Sequence, residues 1–266
     1  SVLLIEAGPT DTNFWVHIPL GFGKNVNNPA VNWCYQGEPE PYCRNQAYFL
    51  PRGRVLGGSS SINGMVYVRG HAQDFDSWVE QGAEGWSYAD CLPYFRRAER
   101  WMSGADDYRG GEGPLDTCNG NRMRNPLYQA FVDAGCDAGY GSTPDYNGFR
   151  QEGFGPMHMT VRHGERCSTD LAYLKPARKR SNLTLVTRAE VERLVLSGDR
   201  VTGVQYRSKD KTVTASARRE VVVSAGSVGS PLLLQRSGIG PAAVLKAAGV
   251  EVRHDLPGVG ENLQDH

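Results

Sequence analysis

The chain begins on a continuous apolar run, Val2 to Ile5, closed by Glu6, Ala7 and Gly8. Four apolar positions without alternation predict a strand in a parallel sheet covered on both faces, with Glu6 at its carboxyl edge. From 9 to 50 no period is sustained and Pro, Asn and Gly are frequent, which predicts an extended excursion with little regular structure. Helical spacing returns at 72–81 and at 87–101, where Leu92, Phe95 and Ala98 share a face behind a capping Ser87. "NPLYQAFVDAG" predicts a further helix, with Pro126 in its first turn and Gly135 close to its end.

From 183 onward the period shortens. "LTLVT", "VERLVLSGDRVTGVQYR", "TVTASA" and "REVVVSAG" are β-branched runs separated by Gly-Asp or Lys-Asp turns, which predicts a meander beside a buried strand. "SPLLLQRSGIGP" and "AAVLKAAG" then predict two short helices. The pattern is that of an α/β chain in which a sheet is started, left for a long helical excursion, and resumed.

Composition narrows the function classes. A length of 266 residues with 39% hydrophobic and 22% charged side chains suits one large core or two ordinary ones. Twenty-nine basic residues cancel twenty-nine acidic ones, so no broad positive field exists to gather nucleic acid or an anionic membrane. No apolar run approaches the roughly 18 residues that a membrane span needs. The six cysteines, at 34, 43, 91, 118, 136 and 167, form no CxxC pair and predict reduced thiols. The six histidines form no HExxH pair, and no metal site is predicted.

Residues 51–70, "PRGRVLGGSSSINGMVYVRG", carry the strongest chemical signal. Gly57 and Gly58 allow positive φ and remove side-chain bulk, so the backbone can touch a planar or phosphorylated ligand. Ser59 suits a helix N-cap, with free amides in the next turn. Composition alone leaves this reading level with a Gly-Gly loop before an ordinary capped helix. The serines sit in no GxSxG elbow and are not predicted nucleophiles. "GIGPAA", Gly238 to Ala243, matches a dinucleotide-binding pattern but follows a helix, so it predicts a helix start. Glu6 stands where an acidic residue accepts hydrogen bonds from a ribose, although the glycine fingerprint expected upstream is absent, and a surface carboxylate is the competing reading.

Together these segments resemble the glucose-methanol-choline (GMC) family of FAD-dependent oxidoreductases. Residues 52–70 look like its first signature and "GSVGSPLLLQRSGIG", 226–240, like its second, with "VLLIEAG", "GERCSTDLAYLKPA", "NLTLVT" and "LPGVGENLQDH" in the expected order. "WSYADCLPYFRRAE", "DYRGGEGPL" and "NGFRQEGFGPM" look most like the choline dehydrogenase branch. The resemblance implies an FAD-binding Rossmann-like domain over 1–120 and 181–266, and the beginning of a second α+β substrate domain over 121–180. It also implies truncation at both ends, with the pyrophosphate-binding strand before Ser1 and the catalytic histidine beyond His266.

By the same resemblance, Glu6 and Ala7 meet the adenosine ribose and Val191 offers its backbone to the adenine. Val55, Gly57, Gly58, Ser59, Asn63, Gly64, Met65 and Val66 line the pyrophosphate and the isoalloxazine ring. Ile62 stands where some members carry a histidine joined covalently to the flavin, which implies non-covalent FAD. The implied reaction is oxidation of a primary alcohol, choline-like, to the aldehyde, with quinone or oxygen as electron acceptor. Other alcohols, or a hydroxynitrile lyase activity, are the alternatives, and the isolated chain is expected to be inactive. Trp33 and Tyr35 are candidates for aromatic faces against a quaternary ammonium, or simply packed aromatics. A cytoplasmic or peripheral membrane location is expected.

Overall fold

The computed structural model describes residues 1–120 and 124–264, so His266 of the "NLQDH" segment lies outside the described residues. In chain order the elements are β1 (Val2–Ile5), α1 (Phe14–His17), α2 (Phe22–Asn25), β2 (Tyr35–Gln36), β3 (Phe49–Leu50), α3 (Ala72–Glu80), α4 (Tyr88–Ala98), β4 (Glu99–Trp101), β5 (Leu115–Asn119), α5 (Pro126–Asp137), β6 (His158–Met159), β7 (Val161–Arg162) and β8 (Glu165–Arg166). A π-helical turn, Asp170–Leu174, runs into α6 (Lys175–Ala177), followed by β9 (Leu183–Val186), β10 (Ala189–Ser197), β11 (Arg200–Ser208), β12 (Lys211–Ser216), α7 (Gly226–Arg236), β13 (Ile239–Gly240), α8 (Ala242–Ala247) and β14 (His254–Asp255). By packing, the chain divides into one unit of Ser1–Pro9 with Thr184–His266 and another of Thr10–Leu183. This partition follows contacts. The division at 120/121 and 180/181 expected from the sequence follows role, and packing does not test it.

In the first unit β1 pairs with β9, and β10, β11 and β12 form the expected antiparallel meander. Leu194, Tyr206 and Ala189 are its buried apolar positions, and Ser237 at the end of α7 donates to Leu233 O while accepting from Leu194 N, which fastens α7 to β10. Two expectations are corrected here. β1 is not covered on both faces in this chain, since Val2 and Leu3 are 57% and 41% exposed, and among the described residues β9 is its one sheet neighbour. "REVVVSAG" forms no strand: its backbone has no ladder partner among the described residues, and Val222 is 78% exposed. Apolar β-branched sequence supplies a preference, while a strand also needs a neighbour to bond. "GIGPAA" behaves as a helix start, with Pro241 as the residue capping α8.

The second unit is built around polar burial as much as apolar burial. Val31, Val55 and Ile62 form its apolar cluster, while Glu99, Arg109, His158 and Arg166 are among its most enclosed side chains. α3 starts from a capping box between His71 and Asp74, and α4 from one between Ser87 and Asp90. The helix expected over 87–101 stops at Ala98. Glu99 and Trp101 are buried in β4, which pairs with β5, and the burial of the Glu99 carboxylate among arginines overrides helical periodicity there. α5 begins as expected, with Asn125 accepting from Leu127 N and Pro126 in the first turn.

Candidate cofactor site

In the second unit, Val55 and Leu56 bury their side chains and the chain then turns through Gly57 and Gly58, at φ of 87° and 55°. The two glycines do different work. A Cβ on Gly57 would collide with Ser61 Oγ and crowd the Asp170 amide at 3.2 Å, whereas a Cβ on Gly58 would meet nothing within 4 Å. Gly57 is required for packing, and Gly58 leaves open space beside the turn. The predicted N-cap role of Ser59 is corrected. Gly58–Ser61 is a single 3-10 turn in which Ser59 Oγ accepts from Gly53 N at 3.0 Å, and no side chain caps it. Ser60 Oγ donates to Gly57 O and accepts from Thr169 N, and Ser61 Oγ donates to Leu56 O, so the three serines are committed to local structure.

Beyond the turn, Asn63, Gly64 and Val66 are exposed, while Met65 is buried and held at a left-handed φ of 64°. That backbone costs a non-glycine residue about 1–3 kcal/mol and persists only where neighbours hold it. The neighbours are visible: Asn63 Oδ1 accepts from Met65 N at 3.1 Å, and Met65 O accepts from Thr160 N at 2.8 Å. Val55 and Met65 therefore turn their side chains into the protein. Gly58, Ser59, Asn63, Gly64 and Val66 make the accessible strip. Ile62 packs with Val31 and Val55 and offers no nucleophile.

Two polar constructions brace this strip. Behind it, Arg166 is buried: its Nε donates to Val16 O at 2.8 Å, and its Nη1 donates to Ser60 O at 3.1 Å, Asn63 O at 2.7 Å and Asn63 Oδ1 at 2.9 Å. At the far end of the signature, Arg69 donates to Glu99 at 2.7 Å, and Arg109 grips the same carboxylate through Nη2 at 2.5 Å and Nε at 3.0 Å. Arg109 also reaches Asp145 at 2.7 Å, so two guanidiniums face two carboxylates. Burial pulls the Arg109 guanidinium down, but its hydrogen bonds and charge contacts with Glu99 and Asp145 outweigh this and raise it. His158, stacked on Tyr146 with the tilted Trp101 ring beside it, is lowered to about 4, first by burial and then by the Arg109 charge, and is neutral. Its Nδ1 faces donors on Arg109 and Asn147, which places the proton on Nε2.

In the first unit, Glu6 and Ala7 form the turn after β1. Glu6 Oε1 accepts from Gly8 N at 2.7 Å, and Glu6 O accepts from Ala189 N at 3.0 Å, two residues before Val191. Val191 pairs with Tyr206 immediately before a β-bulge, a feature that re-aims a strand. Trp33 and Tyr35 stack at 5.8 Å, and the guanidinium of Arg54 lies over Trp33 at 4.9 Å. One face of Trp33 already has a cation on it.

Reading the sequence did not single out Arg166, Thr169 or Thr160. They belong to "TVRHGERCSTD", distant in sequence from the signature they support; part of it reads only as a family-like segment, and no local pattern shows that its side chains reach residues 57–65. The accessible strip of the second unit consists of main-chain groups, small residues and one amide, with no side chain suited to general base or nucleophilic work. It is a surface for holding a flat ligand.

A profile described as GMC oxidoreductase matches residues 4–266. The chain is 58% identical over 266 residues to an oxygen-dependent choline dehydrogenase of Photobacterium profundum, covering 100% of this chain and 47% of that protein. Among solved structures, pyridoxine 4-oxidase from Mesorbium loti superposes with a TM-score of 0.91 at 35% identity, over 96% of this chain and 50% of the other. An FAD-dependent oxidoreductase from Chaetomium thermophilum does so with a TM-score of 0.88 at 27% identity, over 97% and 46%. The chain thus spans about half the length of the curated relatives it matches.

Proposed function

This chain belongs to the GMC oxidoreductase family, and from that premise we propose that the protein of which it forms part oxidises a primary alcohol, choline or a close analogue, to the aldehyde with FAD. The observation that carries the reading is the open strip from Gly58 to Val66. A Cβ at Gly58 or Gly64 would enter empty space, and Ser59 and Asn63 between them are exposed, while Ser61 and Ile62 are buried beneath and Arg166 holds the Ser60 and Asn63 carbonyls. A rigid, small-residue surface of that kind fits the close main-chain approach that a flavin coenzyme needs. The residues present fit the group.

Gly58, Ser59, Asn63, Gly64 and Val66 would hold the coenzyme, with Val55 and Met65 as the buried supports of the same strip and Gly57 as the packed glycine that sets its turn. For Glu6, Ala7 and Val191 a contact with the adenosine portion is supported by the family resemblance alone. FAD, when bound, supplies the two-electron acceptor for the hydride lost from the alcohol carbon. The aliphatic Ile62 makes attachment non-covalent. The chain's own task is to fix the reacting partners in line, which is where binding energy lowers a barrier of this type. The hydroxyl proton goes to a base that we assign to the remainder of the protein. Quinone or oxygen would take the electrons afterwards.

Anaerobic addition of choline to the full-length protein tests this directly. The expected result is bleaching of a yellow, acid-extractable flavin with formation of the aldehyde. The structural likeness to pyridoxine 4-oxidase supports one competing substrate class. Bleaching by pyridoxine or benzyl alcohol but not choline would reassign the substrate, and a colourless protein that takes up no added FAD would overturn the reading.

A further inference from the structure

Arg166 is 1% exposed, and no carboxylate stands within ion-pair distance of it among the described residues. Its four hydrogen bonds all run to oxygens of Val16, Ser60 and Asn63, three of them main-chain carbonyls, and its Nη2 is buried with no partner. No carboxylate offsets the loss of solvation, and burial pulls the guanidinium down, to about 10. A buried cation with an unfilled donor is costly, and proteins keep such groups where the charge is used. Its position directly behind Asn63 links it to the accessible strip, since Asn63 Oδ1 accepts from both Arg166 and the strained Met65 amide.

We propose that Arg166 is a positioning residue for the coenzyme: it locks the Ser60–Asn63 turn through its carbonyls, and its unneutralised charge favours the reduced, more negative flavin over the oxidised form. The inference rests on the flavin reading above. A charge placed near the electron-rich ring is one of the levers by which a protein tunes a flavin.

The test uses the full-length protein with Arg166→Lys and Arg166→Met, measuring flavin affinity by titration of deflavinated protein and the midpoint potential against a reference dye. Arg166→Lys keeps the charge but cannot span three carbonyls. It should weaken flavin binding at least tenfold and leave the ratio of reduced to oxidised binding within twofold. Arg166→Met should weaken binding similarly and lower that ratio at least tenfold, about 30 mV for a two-electron couple. Unchanged affinity in the Lys variant, or an unchanged potential in a flavin-loaded Met variant, overturns the proposal. Should Arg166→Met not fold, the Lys variant decides alone, because a lowered potential with the charge retained contradicts the assignment. A wild-type protein that binds no flavin fails the functional reading itself, before any variant is compared.

Discussion

Arg109 and Arg166 lie in the same unit and are equally hidden from solvent, yet their charges are handled in opposite ways. Arg109 meets Glu99 and Asp145 in a cluster whose charges cancel, and Thr117 and the Gly110 amide take up more of the carboxylate. Arg166 meets only neutral oxygens. Gly57 and Gly58 repeat the contrast on a smaller scale, one hemmed in by Ser61 and Asp170, the other facing empty space. Groups at the far end of the signature are consumed in building it, whereas Gly58, Asn63, Gly64 and Val66 are held in place and left accessible.

The contrast is broken most severely at the neutral cluster. Glu99→Ala leaves Arg69 and Arg109 buried without their shared carboxylate, and the unfolding free energy should fall by about 3–5 kcal/mol, read as a lower urea midpoint of the full-length protein. A fall of under about 1 kcal/mol would show that the cluster is hydrated and not structural. Next in size is Gly57→Ala, which combines a left-handed backbone cost of about 1–2 kcal/mol with an overpacking cost of about 1–3 kcal/mol. The same denaturation series should report the sum.

Gly58→Ala sharpens the comparison because the clash is missing. Its stability loss should be confined to about 1–2 kcal/mol for the backbone, while flavin affinity, measured by titration, should drop by more than it does in a stability-matched variant elsewhere. Equal loss of stability at positions 57 and 58 would erase the distinction between the packed and open glycines. The smallest effect concerns His158. Its proton is disfavoured in the folded state, so the unfolded chain binds more protons between pH 6.5 and about 4, and stability should decline as the pH falls through that window. Above pH 6.5 it contributes no slope. Thermal unfolding across that range should show the decline in the wild type and a flatter profile in His158→Gln.

Much of the fold was legible along the chain because local rules suffice for it. Ser87 and Asp90, and Asn125 and Pro126, announce helix starts through groups within three residues of each other, and the β10–β12 meander follows from alternating β-branched runs joined by tight turns. Long-range partners were not legible. "REVVVSAG" has strand composition but no ladder partner among the described residues, and residues 99–101 leave the helical pattern because Glu99 is claimed by arginines 30 residues before it and 10 after. The open strip was partly legible: the diglycine was visible, but which glycine faces inward was not.

The sequence by itself determined the family, the starts of α3, α4 and α5, the β10–β12 meander, the absence of a nucleophile at position 62, and the small residues available for close approach. All of these depend on residue type and short-range spacing. Only the tertiary structure decided that Ser59 is not a cap, that Val55 and Met65 point inward, and that Arg166 stands uncompensated behind Asn63. Charge balance and steric room are set by which distant segments are folded against one another, and no local pattern encodes them.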